Sequence, residues 1–259
     1  MATVQPVLES RNLTISFGGH IAVHDVSCGF YPGTLTSIVG PNGAGKTTWF
    51  NLLSGQLRPT GGQVLLRGED ITRLAAPARA DRGLGRAFQL TNLFPNLTVL
   101  ENCRLAVSSR QKVGYNFWTM DSRRQDVTDR AMEYLRQVHL EHRADYVVSG
   151  LPHGDQRKLE VGLLLALEPE VFMFDEPTAG MSVDEVPVIL DLIGEIRQRG
   201  DKVVLLVEHK MDVVRSLSDR IVVLHNGELV ADGEPAEVIA SPVVQEAYLG
   251  IPQDEAEGA

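Results

Sequence analysis

The stretch GPNGAGKT, from Gly40 to Thr47, fits the spacing G-x-x-x-x-G-K-[ST]. Each residue type in that pattern has a chemical reason. Glycines let the backbone curl so that the N–H groups from Asn42 and Gly43 through Ala44, Gly45 and Lys46 to Thr47 and Thr48 can wrap a chain of phosphates. Lys46 neutralises the phosphate oxygens, and the Thr47 hydroxyl can ligate a magnesium ion. At average residue frequencies the pattern arises by chance in about one chain in a hundred of this length. A dinucleotide fingerprint is excluded, because G-x-G-x-x-G counted from Gly43 needs a glycine where Thr48 stands.

A second constellation lies in EVFMFDEP. An apolar run ends in two acids, Asp175 and Glu176. The first can hold a metal through water and the second can polarise an attacking water. A solvated turn would also place two acids after a strand, but a phosphate loop independently requires a metal partner. His209 closes a third apolar run, VVLLVEH. By itself a histidine there reads as a surface residue. His20 with His24, and His139 with His142, lack the cysteine or acid company of a zinc site.

The elements that must carry these groups follow from periodicity. Leu13, Ile15 and Phe17, then Val26, Cys28 and Phe30, alternate with polar residues as short half-exposed strands do. TLTSIVG reads as a buried strand entering the glycine loop, and the loop opens a helix that Gly55 ends. From residue 92 to about 165 the pattern is helical. Thr98 and Glu101 have capping-box spacing, and Val127, Ala131, Leu135 and Val138 share one helical face. After Val171, strands (VFMF, KVVLLV, RIVVLH) alternate with helices, which predicts a parallel sheet covered on both faces.

The chain has 259 residues, 43% hydrophobic and 22% charged, enough for one sizeable core. Its net charge of −10 speaks against broad, salt-driven nucleic-acid binding, which needs a basic face. Two cysteines make no disulfide framework, and the N-terminal MATVQPVLESR lacks a signal-like apolar run, so a reducing cytosol is expected. The greasiest stretch, Val161 to Phe174, is broken by Glu168, Pro169 and Glu170 and falls short of the roughly 20 apolar residues of a membrane span. The closing IPQDEAEGA, residues 251–259, is expected to be an acidic flexible tail.

In order along the chain, the phosphate loop, Gln89 at a strand end, Gly154 at a helix start, Asp175–Glu176 and His209 resemble the ATP-binding subunit of an ABC transporter. The resemblance spans residues 7 to 250. FQLTNLFPNLTVLEN, LLVEHKMDVV, SDRIVVLHNGELVADGEPAEVI and AYLG are similar to the ATPases of branched-chain amino acid and related amide or urea importers.

That resemblance implies an α/β fold: a RecA-like phosphate-loop ATPase core (7–91 and 166–250) with a small antiparallel β subdomain and an inserted helical subdomain (92–165). It further implies that Phe17 stacks on adenine and that Gln89 touches magnesium or the attacking water. It makes Glu176, His209 and Gln89 the catalytic groups, and Thr47, Gln89 and Asp175 the groups around the metal. ATP and Mg2+ are the expected ligands. Transmembrane permease subunits and a second ATPase subunit, a different chain or another copy, are the expected partners. The expected place is the cytoplasmic face of the inner membrane, with no nucleic acid involved. A soluble ABC-type ATPase of DNA repair or translation is the alternative, although such proteins carry two cassettes or long coiled-coil arms. A small-molecule kinase would leave the signature and His209 unexplained.

Two departures stand out. The family signature begins Leu-Ser-Gly-Gly-Gln, and here it is Leu151, Pro152, His153, Gly154, Asp155. The usual aspartate of the D-loop is Ser182. In the family both positions face the ATP held by the opposite subunit. Proline suits the first turn of a helix, where its missing N–H would be unbonded anyway. The amides near His153 and Gly154 can therefore still point at an anion, while Asp155 is expected to be an unfavourable neighbour for a γ-phosphate.

Overall fold

The computed structural model describes residues 5–87, 93–110, 121–242 and 244–245. The first sheet is antiparallel, built from β1 (Leu8–Phe17), β2 (His20–Phe30), β4 (Gly61–Leu66) and β5 (Glu69–Asp70) in the order β2-β1-β4-β5. β1 and β2 join through Gly18 and Gly19, both at positive φ, as a tight hairpin turn requires.

The second sheet holds β3 (Leu35–Val39), β6 (Leu84–Ala87), β7 (Val171–Asp175), β8 (Val203–Val207), β9 (Arg220–His225) and β10 (Glu228–Gly233) in the order β10-β9-β3-β8-β7-β6. Five of these strands are parallel, as the alternation of strands and helices predicts. The sixth, β10, runs antiparallel to β9. Asn226 and Gly227, both at positive φ, supply the two-residue hairpin that reverses the chain there.

Every residue of β3, β7 and β8 is buried, so period 2 sorts two cores rather than core from solvent. Phe172 and Phe174 point to one face, with Val204 and Leu206, under a helical layer. Met173, Leu205 and Val207 point to the other, where they meet Trp49, Phe50 and the inner face of the antiparallel sheet.

Helix α1 (Lys46–Ser54) follows the glycine loop and is capped by Gly55 in the left-handed region at φ 80. The buried Arg79 on α2 (Ala76–Ala80) donates to the carbonyls of Leu52 and Leu53 at its C-terminus, at 2.8 and 2.6 Å. Between β6 and β7 come α3 (Val99–Arg110), α4 (Asp121–Gln137), two short 3-10 turns and α5 (His153–Leu167). The capping box closes at 2.7 Å from the Thr98 amide to the Glu101 carboxylate and 3.1 Å from the Glu101 amide to the Thr98 hydroxyl. Val127, Ala131, Leu135 and Val138 are all buried against this layer. Helices α6 (Val186–Gln198), α7 (Met211–Leu217) and α8 (Pro235–Ala240) complete the chain's cover.

Candidate nucleotide-binding site

Because β3, β8 and β7 are neighbours and parallel, their carboxyl ends lie side by side. The crevice outside those ends is where open α/β sheets bind ligands. β3 delivers the glycine loop, β7 delivers Asp175 and Glu176, and β8 delivers Glu208 and His209. A cavity of about 600 Å³ sits there, lined by Asn42 through Thr48, by Glu176 and His209, and by His20, Ile21, Ala22, Asn226 and Gly227. Gly43 and Gly45 take φ of 81 and 95. With those dihedrals the loop folds under itself into the first turn of α1, whose N–H groups have no carbonyl a turn below.

Lys46 is buried, and its Nζ donates to the carbonyls of Gly40 at 2.7 Å and Pro41 at 2.9 Å. An ammonium carries three protons, so one remains for a phosphate oxygen. Burial lowers its pKa, while Glu176 and Asp175 oppose that shift.

Asp175 is 2% exposed. Its Oδ2 accepts from Arg86 Nη2 at 2.7 Å, and Oδ1 has no hydrogen-bond partner among the described residues. Burial pushes this carboxyl up, and the Arg86 guanidinium pulls it back.

Glu176 adopts the left-handed region at φ 48, a conformation that costs a non-glycine residue about 1 kcal/mol or more. Its amide donates to Val207 O at 2.9 Å, and its carbonyl accepts from Arg157 Nη2 at 3.1 Å, so the strain is held from two sides. Its carboxylate lies 2.9 Å from His209 Nε2. His209 is aimed in turn by Glu208, whose Oε2 accepts the amides of His209 at 2.7 Å and Lys210 at 3.2 Å. Thr178 Oγ1 donates to the other oxygen of Glu208 at 2.7 Å.

Phe17 ends β1, half-exposed at 49%, paired across the hairpin with His20. It is therefore not a core residue, although the lining of the cavity begins at His20 rather than at Phe17. Gln89 lies outside the described residues. Thr47 and Thr48 line the cavity beside the loop.

Pro152, His153, Gly154 and Asp155 stay away from this cavity. Pro152 is the residue just before α5, and its carbonyl accepts the first helical bond from the Gln156 amide at 3.0 Å, so its lack of an N–H costs the helix nothing. The His153 ring lies against Gly180, and Gly154 packs against the carboxylate of Glu185. Asp155 corrects the sequence expectation. It is 6% exposed and turned inward, paired with Arg143 at 2.8 Å and Lys158 at 3.2 Å, so its charge is neutralised rather than presented to an anion. Ser182 donates its hydroxyl to Glu185 at 2.9 Å.

Sequence reasoning passed over Arg86, Arg157, Glu208 and the Asn226–Gly227 turn. Glu208 carried a usable signal, an acid directly before the histidine at a strand end. The two arginines carried none, because the contacts that tie them to the site, Arg86 to Asp175 and Arg157 to the Glu176 carbonyl, run to other elements.

The geometry of a phosphate loop beside a strand-end acid pair agrees with comparisons to known proteins. The pattern of the ABC transporter family matches residues 23–179, and that of the branched-chain amino acid ATP-binding cassette transporters matches residues 228–252. The chain is 39% identical over 251 residues to the high-affinity branched-chain amino acid transport ATP-binding protein LivG of Escherichia coli, covering 95% of this chain and 98% of that one. It is 38% identical over 253 residues to BraF of Pseudomonas aeruginosa, with the same coverage. A solved ATP-binding cassette of an ABC transporter in its ADP conformation superposes with a TM-score of 0.80 at 28% identity, over 96% of this chain and all of that one. A soluble repair or translation ATPase is not favoured by these relatives. With nearly its whole length matched and the cavity at the carboxyl ends of its parallel strands, the chain belongs to the ABC transporter family, as an ATP-binding, ATP-hydrolysing cassette coupled to transport.

Proposed function

We propose that this chain drives the import of branched-chain amino acids or related small polar solutes, hydrolysing ATP on the cytoplasmic face of a membrane it does not enter. The observation that carries the reading is the convergence of Lys46, Asp175, Glu176 and His209 at the ends of three adjacent strands. The identity to LivG and BraF supports the solute class. No helix among the described residues is long and apolar enough to cross a membrane, so the transmembrane path would be supplied by permease subunits.

The residues present suit magnesium. A hydroxyl beside the phosphate loop and a carboxylate oxygen without a partner among the described residues are the hard oxygen donors magnesium takes, and the ion completes its shell with phosphates and water. Thr47 Oγ1 would ligate the ion directly and the orphaned Asp175 Oδ1 would hold it through a bound water, with Gln89 the further candidate. When bound, the ion would neutralise charge on the phosphates. Lys46 would stabilise the same charge as it spreads over the phosphoryl oxygens. Glu176 accepts a hydrogen bond from the attacking water, and the 2.9 Å contact with His209 keeps the carboxylate in place for it. Phe17 offers its exposed ring to adenine.

Two ATPase subunits would close head to tail, so that Pro152, His153 and Gly154 meet the partner's ATP. A signature without the serine hydroxyl is tolerable if the partner is a different ATPase with a complete one. A groove of about 620 Å³ lined by Leu93, Phe94, Leu97 and Leu163, with Phe94 55% exposed, is the face proposed to dock the permease.

The experiment is a pair of variants read with a fluorescent nucleotide and a phosphate-release assay. Lys46→Ala should weaken ATP binding at least tenfold, whereas Glu176→Gln should keep binding and lose turnover, a split expected of phosphate charge against water orientation. Equal loss of binding in both variants would contradict the assignment.

A further inference from the structure

Arg86 joins three elements through one planar group. It leaves β6 almost fully buried, and its Nη2 donates to Asp175 Oδ2 on β7 at 2.7 Å. Its Nη1 donates to Asn51 Oδ1 at 2.6 Å and Ser54 Oγ at 2.8 Å, both on α1, the helix that begins at Lys46. Its guanidinium carbon lies 4.7 Å from the centre of the Phe50 ring. A guanidinium has donors fixed in one plane, so holding Asn51 and Ser54 with one nitrogen dictates where the other can meet a carboxylate. The consequence is an unequal carboxylate: Oδ2 is taken, and Oδ1 is buried without a partner among the described residues.

We infer that Arg86 is a positioning residue for the metal, acting through Asp175: it anchors Oδ2 to the phosphate-loop helix and leaves Oδ1 as the oxygen open to a metal-bound water. The inference rests on the reading of the cavity as an ATP and magnesium site. Two effects of the guanidinium oppose each other. Its positive charge repels a nearby cation, and its hydrogen bonds hold the carboxylate in one orientation. The geometric effect is the larger, because a buried carboxylate deprived of the guanidinium that hydrogen-bonds it loses its orientation and much of its compensated charge. Arg86 also lines the groove that holds Phe94, so the face proposed for docking and the metal's carboxylate share one side chain.

The test uses the full chain and two probes: a fluorescent ATP analogue titrated in excess EDTA and again in magnesium, and Mn2+ titrated by electron paramagnetic resonance in the presence of ADP. In Arg86→Gln, affinity in EDTA should stay within twofold, because the loop itself is untouched. The gain in affinity on adding magnesium should fall at least tenfold, and Mn2+ affinity should fall with it. Arg86→Lys should lie between, since an ammonium can reach Asp175 but cannot also hold Asn51 and Ser54 in the same plane. An unchanged metal-dependent gain, a tighter grip on Mn2+, or an equal loss with and without metal would overturn the inference.

If Arg86→Gln does not fold, the double variant Asn51→Ala with Ser54→Ala keeps the ion pair and removes its anchor. It should lose about threefold of the metal-dependent gain, and a wild-type value overturns the inference. Failure of the unmodified chain to bind the analogue in either buffer would overturn the site reading, and this inference with it.

Discussion

Helices α1 and α5 both start from a short glycine-bearing stretch, and the first turn of each leaves N–H groups without carbonyl partners. They end differently. At α1 the approach through Gly43 and Gly45 opens directly into the cavity, and the loop is shaped by its own backbone and the Lys46 ammonium that it folds around. At α5 the start is crowded by side chains from elsewhere: Glu185 against Gly154, Arg143 and Lys158 on Asp155, and Gly180 beneath His153. A helix N-terminus becomes an anion cradle in isolation only when its own backbone makes the space. Otherwise its neighbours decide what it can meet.

Exchanging glycines is the sharpest way to break this comparison. A Cβ on Gly45 would stand 2.5 Å from the backbone carbonyl of Ala22, in a strand that cannot yield, at a φ that L side chains avoid. Gly45→Ala should cost about 2 to 4 kcal/mol of stability from backbone strain and overpacking, and should abolish nucleotide binding. Gly154→Ala meets the end of the Glu185 side chain, which is held by Ser182 and Lys158 but can turn aside more readily than backbone. The variant should stay within about 1 kcal/mol, because alanine's helix preference offsets a displaced carboxylate. Urea unfolding of both variants checks the pair, and similar losses would erase the distinction.

Next in size is Asp155→Ala. Its removal leaves Arg143 and Lys158 facing a site built for a carboxylate, and should destabilise the chain by about 2 kcal/mol. Had Asp155 been a surface charge aimed at a phosphate, the loss would be near zero, so thermal or urea unfolding separates the two views. The smallest effect on the chain itself belongs to Pro152→Ser. A serine cap adds about 1 kcal/mol to α5, while the greater freedom of the unfolded chain removes about 0.4 to 1 kcal/mol, leaving stability nearly unchanged. Any gain in turnover should appear at the partner's site, where the new hydroxyl would point. A rise confined to the site containing Lys46 would overturn the proposed head-to-tail pairing.

The capping box, the Gly55 stop and the buried face of α4 were legible because each depends on residues within a turn or two of one another. Lys46 was legible in the phosphate loop, and Asp175, Glu176 and His209 as separate residues after strands. Arg86 was not: in LGRAFQL it resembles any other arginine, and its meaning comes from Asp175, 89 residues away, brought beside it when β6 and β7 pair. Asp155 was misread for the same reason, since its spacing to the signature is local but its partner Arg143 lies in a separate 3-10 turn. The sixth strand was missed although Asn226–Gly227 is a hairpin signal, because the parallel pattern before it set the expectation.

Residue order alone was enough for the phosphate loop, the helix ends at Gly55, Thr98 and Pro152, and the groups after the strands, because backbone conformation and amphipathic period act over a few residues. Tertiary packing settled which Asp175 oxygen is left without a partner among the described residues, which charges are neutralised and which helix start faces a cavity. Those outcomes depend on strand order, and strand order joins groups that the chain keeps far apart.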